Sequence, residues 1–148
     1  MNQNRWCNRK FNIRDYGPEP IIMNLENLAK MNSNFRTTVW TGNNLQVTLM
    51  SIPVDGDIGI EMHSNLDQFI FIVEGCALVR MGKCKNALPY QQKINHGFGV
   101  LIPSDTWHNI INIGDTPLKL YSIYAPPQHP FGTIHETKED AEEKEHPY

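Results

Sequence analysis

The sequence predicts an all-β domain, a sandwich or barrel of short antiparallel strands. Two observations carry this. Val-, Ile-, Phe- and Tyr-rich runs of four to eight residues are separated by clusters of Gly, Pro, Asn and Asp, and the turns recur at roughly the 8 to 12 residue spacing of such folds. The ten Gly and ten Pro are also spread along the chain rather than concentrated in linkers. A chain of 148 residues fits one domain with a core of its own.

Taken in order, residues 1–20 form an arm that ends in the breaker run Gly17-Pro18-Glu19-Pro20. Its Trp6, Phe11 and Tyr16 suit contact with a neighbouring surface, a dimer partner's included, better than disorder. Residues 21–25 read as a first strand and 25–31 as a short helical turn. Strands follow at 35–41 and 45–52, joined by the tight turn Gly42-Asn43-Asn44, and another is expected at 58–63 after the turn at 53–57. Residues 68–73 are apolar on both faces, so a flanking segment or a partner subunit must cover the second one. Strands at 77–81, 100–102, 107–113 and 118–124 complete the set. The polar stretch 82–96 has room for a hairpin. Pro126, Pro127 and Pro130 exclude regular pairing in a loop that carries His129 and His135, expected to be solvated. Thr137 reads as an N-cap with acids behind it, giving a short solvated helix or a disordered tail.

Charge and composition exclude several classes. Residues 136–145 hold six acids and two lysines, so the formal charge of −3 belongs to the tail and the body is nearly neutral. No basic stripe exists for nucleic acid. No apolar run reaches 18 residues and the N-terminus lacks a signal-peptide core, which predicts a soluble cytoplasmic protein with no membrane association. Cys7, Cys76 and Cys84 show no CxxC spacing and are expected as reduced, partly buried thiols.

Two segments carry chemistry. In residues 61–75 (EMHSNLDQFIFIVEG), Glu61 and His63 share a face if they lie on one strand, and Gln68 opens the next strand after a turn at 64–67. In residues 97–112 (GFGVLIPSDTWHNIIN), His108 shares an inward face with Ile110 and Asn112. Taken alone, His108 reads as a hydrogen-bonded core residue, Trp107 as packing and Asn112 as a turn or interstrand contact. Tyr124 has the parity of Leu118, Leu120 and Ser122, and so can line a cavity as a proton donor.

Together the two segments resemble the paired cupin motifs. HxHx4E followed by Gly appears as Glu61, His63, Gln68 and Gly75; Gx5PxGx2Hx3N appears as Gly97, Pro103, His108 and Asn112, with Asp105 in place of the second Gly. The resemblance spans residues 45–125. It implies a jelly-roll barrel of two antiparallel sheets with short helical turns at its periphery, organised as an arm (1–20), a barrel domain (21–135) and an acidic tail (136–148). It places metal ligands on Glu61, His63, Gln68 and His108. Two identities depart from the pattern, yet the site's single negative charge is kept, moved from position 68 to 61. Two His and one carboxylate suit a divalent Fe, Mn, Zn or Ni ion with positions left open. The function implied is a metal-binding cupin, a small-molecule enzyme of isomerase, epimerase or oxygenase type, with Glu61 and Tyr124 as catalytic candidates, a small polar molecule in the barrel, and a homodimeric state. A non-catalytic binding module, or a barrel that has lost its metal, are the other readings.

Overall fold

The computed structural model describes residues 12–145, so the expectations for Trp6, Cys7 and Phe11 lie outside the described residues. Among the described residues, nine strands and two short helices run in the order α1 (Leu25–Met31), β1 (Arg36–Thr41), β2 (Gln46–Ile52), β3 (Asp67–Glu74), β4 (Ala77–Gly82), β5 (Tyr90–Ile94), β6 (Gly99–Ile102), β7 (Trp107–Asn112), β8 (Leu118–Ala125), β9 (Ile134–His135) and α2 (Lys138–Glu145). One sheet has six strands, ordered β6-β3-β8-β2-β1-β9, and the other has three, ordered β5-β4-β7. Every ladder is antiparallel. This is the all-β jelly-roll barrel that the motifs imply.

The barrel interior is graded along its axis. Cross-strand partners share a face, so the register sets up rows. Gln46, Tyr124, Gln68 and Ile102 form one row across β2, β8, β3 and β6, and Thr48, Ser122, Ile70 and Val100 the next. Deeper in, Met50, Leu120 and Ile72 and then Ile52 and Leu118 make an apolar plug, all of them essentially fully buried. Each such aliphatic side chain contributes about 1.5–3 kcal/mol through burial. One end of the barrel is therefore hydrocarbon, and the other is polar and available for chemistry.

The second apolar face of β3 is covered from within the chain. Leu28 and Ala29 of α1 pack with Val39, Val47, Leu49 and Val73, and Ile13, Met23, Leu25, Phe71 and Tyr121 close the edge of this cluster. The strand expected at 21–25 is absent, because Asn24 instead caps α1, its side chain accepting from the Asn27 N–H at 3.1 Å. Tyr16 N–H donates to the Val39 carbonyl, so this part of the arm runs as a strap beside the stretch of β1 that its short pairing with β9 leaves open.

Three more expectations change. Residues 58–63 form no continuous strand. Asp57 bridges Ile111 and Glu61 bridges His108, which leaves one extra residue on the 57–61 side, and Gly59 takes up this bulge with φ +101°. β9 forms beyond the prolines and pairs with β1, which buries His129 and His135 rather than solvating them. Cys76 and Cys84 are exposed rather than partly buried. The described part of the tail carries the helix α2, with Thr137 Oγ1 accepting from the Asp140 N–H and Ala141 buried in the main core. No helix among the described residues is long and apolar enough to cross a membrane.

Candidate metal centre

The bulge determines where Glu61 points. Its N–H donates to the His108 carbonyl at 3.0 Å, and the His108 N–H returns the bond at 2.9 Å. Directly opposed residues of an antiparallel pair send their side chains to the same side, so Glu61 follows His108 into the barrel. His63 is held two residues later, its carbonyl accepting from the Asp105 N–H at 2.8 Å. Asp105 occupies the position where the motif has Gly, and its φ is +65°, a left-handed conformation that Asp tolerates better than most residues. Asp105→Ala is expected to cost about 1 kcal/mol more than Asp105→Gly, read from urea unfolding midpoints. Equal stability of the two variants would remove this backbone requirement.

Three donor atoms converge. Glu61 Oε1 lies 3.5 Å from His63 Nε2 and 3.4 Å from His108 Nε2, and all three ligand positions lie within 4.8 Å of one another. None of these buried atoms has a hydrogen-bond partner among the described residues. His108 is fully buried, while the Glu61 side chain keeps 29% of its exposure and opens the cluster on one side. Burial alone would raise the Glu61 carboxyl pKa, but the imidazoles of His108 and then His63 hold it well below the usual range. The carboxylate is thus an anion aimed at two ring nitrogens.

A metal ion fits this donor set. His108 Nδ1 lies 3.0 Å from the Thr106 carbonyl, and a carbonyl only accepts, so the ring proton sits on Nδ1. On a neutral ring the Nε2 lone pair then faces the lone pairs of Glu61 Oε1, a repulsion that a cation between them relieves, whereas a proton on Nε2 makes His108 a donor to the carboxylate. A backbone carbonyl that orients a ligating His in this way is the usual partner of a metal site. Donors about 2.1 Å from a shared ion stand about 3.0–3.4 Å apart, close to the observed separations.

The other site candidates fall around this cluster. Gln68 is buried at the start of β3, where its Nε2 donates to Ser122 Oγ at 2.9 Å and its Oε1 has no hydrogen-bond partner among the described residues. Tyr124, fully buried, stands edge-on to His63 with ring centroids 5.8 Å apart. Asn112, read as a turn or interstrand contact, serves as both. Its Nδ2 donates to the carbonyls of Ile52 and Thr116, and its Oδ1 accepts from the Gly114 N–H.

Gln46 was not singled out as a site residue in the sequence, and His129 and His135, expected to be solvated, are buried with it. Gln46 Oε1 accepts from the N–H groups of Gln128 and His129 while its Nε2 donates to the His129 carbonyl, which pins the proline-rich loop across the polar end of the barrel. His129 thereby stands edge-on to Tyr124 at 5.2 Å, and His135 follows at 6.3 Å from His129. Only the inward parity of Gln46 on its strand hinted at this.

A cavity of about 450 Å³, lined by Arg36, Ile58, Gly59, Glu61, Lys138 and Glu142 among others, meets the cluster at Glu61. A larger cleft of about 660 Å³ lies against Asp57, Lys119 and Lys138. It includes none of the three donors, whereas the smaller cavity is lined in part by Glu61.

Comparison with known proteins agrees with this architecture. The cupin domain family matches residues 48–124. YrkC of Bacillus subtilis is 53% identical over 133 residues, covering 90% of this chain and 72% of its own length. Protein L612 of Acanthamoeba polyphaga mimivirus is 37% identical, covering 76% of this chain and 69% of its own. The crystal structure of a Bacillus halodurans protein is 53% identical with a TM-score of 0.86, covering 87% of this chain and 98% of that one. With both motifs placed on a two-sheet barrel and a donor cluster at its polar end, the chain belongs to the cupin family.

Proposed function

We propose that the chain is a metal-dependent cupin enzyme acting on a small polar molecule held at the polar end of the barrel, as an isomerase, epimerase or oxygenase. The observation that carries this reading is the convergence of three buried donor atoms without hydrogen-bond partners, on Glu61, His63 and His108. These three residues would hold the ion, and Gln68 offers a neutral oxygen as a weaker fourth donor. A divalent ion in such a set supplies Lewis acidity, and three protein ligands leave positions for substrate or water. The chain's own residues supply the rest. The apolar plug of Ile72, Leu118 and Leu120 closes the floor and excludes water from below. Tyr124, whose ring stands beside His63, is the candidate to hold or deliver a proton. Gln46 keeps the loop bearing His129 in register with it.

The test is metal analysis of protein purified without chelator, followed by a turnover screen with oxygen uptake, sugars and keto acids. About one ion per chain together with turnover is the expected result. Metal with saturable binding and no turnover would favour a binding module, and absence of any metal would favour a barrel that has lost its ion.

The homodimer is retained as a proposal. Since α1 covers the outer face of β3, the motives are the aromatic arm, whose Trp6 and Phe11 lie outside the described residues, and the edge strand β6, where Leu101 is 73% exposed and Phe98 lies beside it. Light scattering at micromolar concentration is expected to give twice the chain mass. A monomer would end the idea.

A further inference from the structure

The side of the barrel on which Glu61 appears is decided by one residue of register against β7. Before the bulge the ladder is regular. The Asn112 N–H donates to the Gly56 carbonyl at 2.9 Å, and the Ile58 N–H to the Ile110 carbonyl at 3.0 Å. Continued without interruption, this pairing would set Ile60 opposite His108 and Glu61 opposite Trp107. Side chains alternate along a strand, so Ile60 would then face the imidazoles and Glu61 the outside. The extra residue at the Gly59 bulge reverses this, and Glu61 takes the place opposite His108.

A side chain clamps the bulge. Asn109 follows His108 on β7 and is 4% exposed. Its Oδ1 accepts from the Gly59 N–H at 3.0 Å, and its Nδ2 donates to Asp57 Oδ2 at 2.9 Å. One amide therefore grips the residues on both sides of Ile58. The other oxygen of Asp57 is engaged by Lys138 of α2, which holds the same segment from the opposite direction. In an uninterrupted ladder Gly59 would fall in a non-hydrogen-bonded pair, with its N–H turned away from β7. The bond from Gly59 to Asn109 thus belongs to the bulged register.

We infer that Asn109 is a positioning residue, which clamps Gly59 and Asp57, holds the bulged register and so aims the Glu61 carboxylate at His63 and His108. This deepens the proposed function, because it rests on that cluster as the metal centre and names what places its one anionic donor. Asn109 occupies an unspecified position of the second motif, so no spacing in the sequence points to it.

The test uses the full chain with three readouts: zinc affinity by competition with a chromophoric chelator, the visible spectrum of the Co(II)-loaded form, and amide hydrogen exchange at Glu61 without metal. In Asn109→Ala, zinc is expected to bind about 10- to 100-fold more weakly, the loss that follows removal of a group orienting a ligand. The Co(II) spectrum should change, and exchange at the Glu61 N–H should quicken at least about tenfold as the register loosens. The paired exchange Asp57→Asn with Asn109→Asp keeps both bonds with one donor and acceptor reversed. It is expected to restore the spectrum and to bring zinc affinity and exchange within about threefold of wild type, a coupling that a general loss of stability would not produce. Should Asn109→Ala fail to fold, Asn109→Asp alone serves. It keeps an acceptor for Gly59 but sets two carboxylates together, and is expected to fall between the other two. Wild-type zinc affinity and Glu61 exchange in a folded Asn109 variant, or no recovery in the exchanged pair, would overturn the inference. A wild-type chain that takes up no zinc, but whose Glu61 exchange responds to Asn109 in this way, would refute the metal reading while supporting the clamp, so the two fail separately.

Discussion

A His63→Ala, His108→Ala double variant is expected to lose its metal altogether, and Glu61→Gln alone to weaken metal binding by at least about 100-fold. Altering residues that merely orient a ligand costs 10- to 100-fold, and here the ligands themselves are removed. Glu61 supplies the only negative charge of the three-donor set. Its replacement by an amide also puts a donor opposite the imidazoles, where the ion would compete with new hydrogen bonds. A thermal measurement reads this directly. At a metal concentration a hundredfold above its dissociation constant, the wild type gains about 2.7 kcal/mol, and the double variant should gain nothing. Metal-dependent stabilisation that survives in the double variant would mean that the ion sits elsewhere and that the Glu61 cluster is only a polar network.

Asp15→Ala is expected to destabilise the fold by about 2–4 kcal/mol at neutral pH, a large effect for a residue in the arm. The Asp15 carboxylate is buried and accepts from Thr41 Oγ1, from the Gly17 N–H at 2.9 Å and from the Gly132 N–H at 3.1 Å. It thereby ties the strap, β1 and the loop before β9 at a single point. Burial raises its pKa, but these bonds outweigh burial and hold it below the ordinary 3.8. A carboxyl depressed in the folded state contributes stability that is present above its unfolded value and is lost as pH falls through the folded one. The wild type should therefore approach the stability of Asp15→Ala as pH drops below about 4. Denaturant midpoints at pH 7 and pH 3 check this, and a gap that stays constant between the two would show that the carboxylate charge is not what holds the strap.

Much of the site was legible because its parts are local. The spacing from Glu61 to His63, the turn before Gln68, and the parity of His108 with Ile110 all follow from the two-residue period of a strand. Asp105 could also be read, since a motif position that takes Gly calls for positive φ, and Asp is one of the few alternatives. The Asx turn at Asp15 was visible in principle, with Gly two residues on. Its further partners Thr41 and Gly132 were not, because they lie 26 and 117 residues away.

Legibility ended where distant segments meet. The strand expected at 58–63 became two bridges flanking a bulge, a matter of register against β7 rather than of propensity. The prolines at 126, 127 and 130 forbid pairing where they stand, but they do not prevent the chain from returning as β9. That return buries His129 and His135 and brings Arg36 to the cavity. Gln68 reads as a ligand by position, yet one arm of its amide is engaged by Ser122 from a neighbouring strand.

By itself, then, the sequence determined the all-β class and most of the strands, the barrel, the position of both motifs and the retained negative charge of the donor set, since alternation, turn chemistry and formal charge are properties of short stretches of chain. Only the tertiary structure decided which polar groups stand at the reacting end, which segment covers the outer sheet, and that a guanidinium shares a cavity with Glu61. Those depend on pairings between residues tens of positions apart, which local periodicity does not encode.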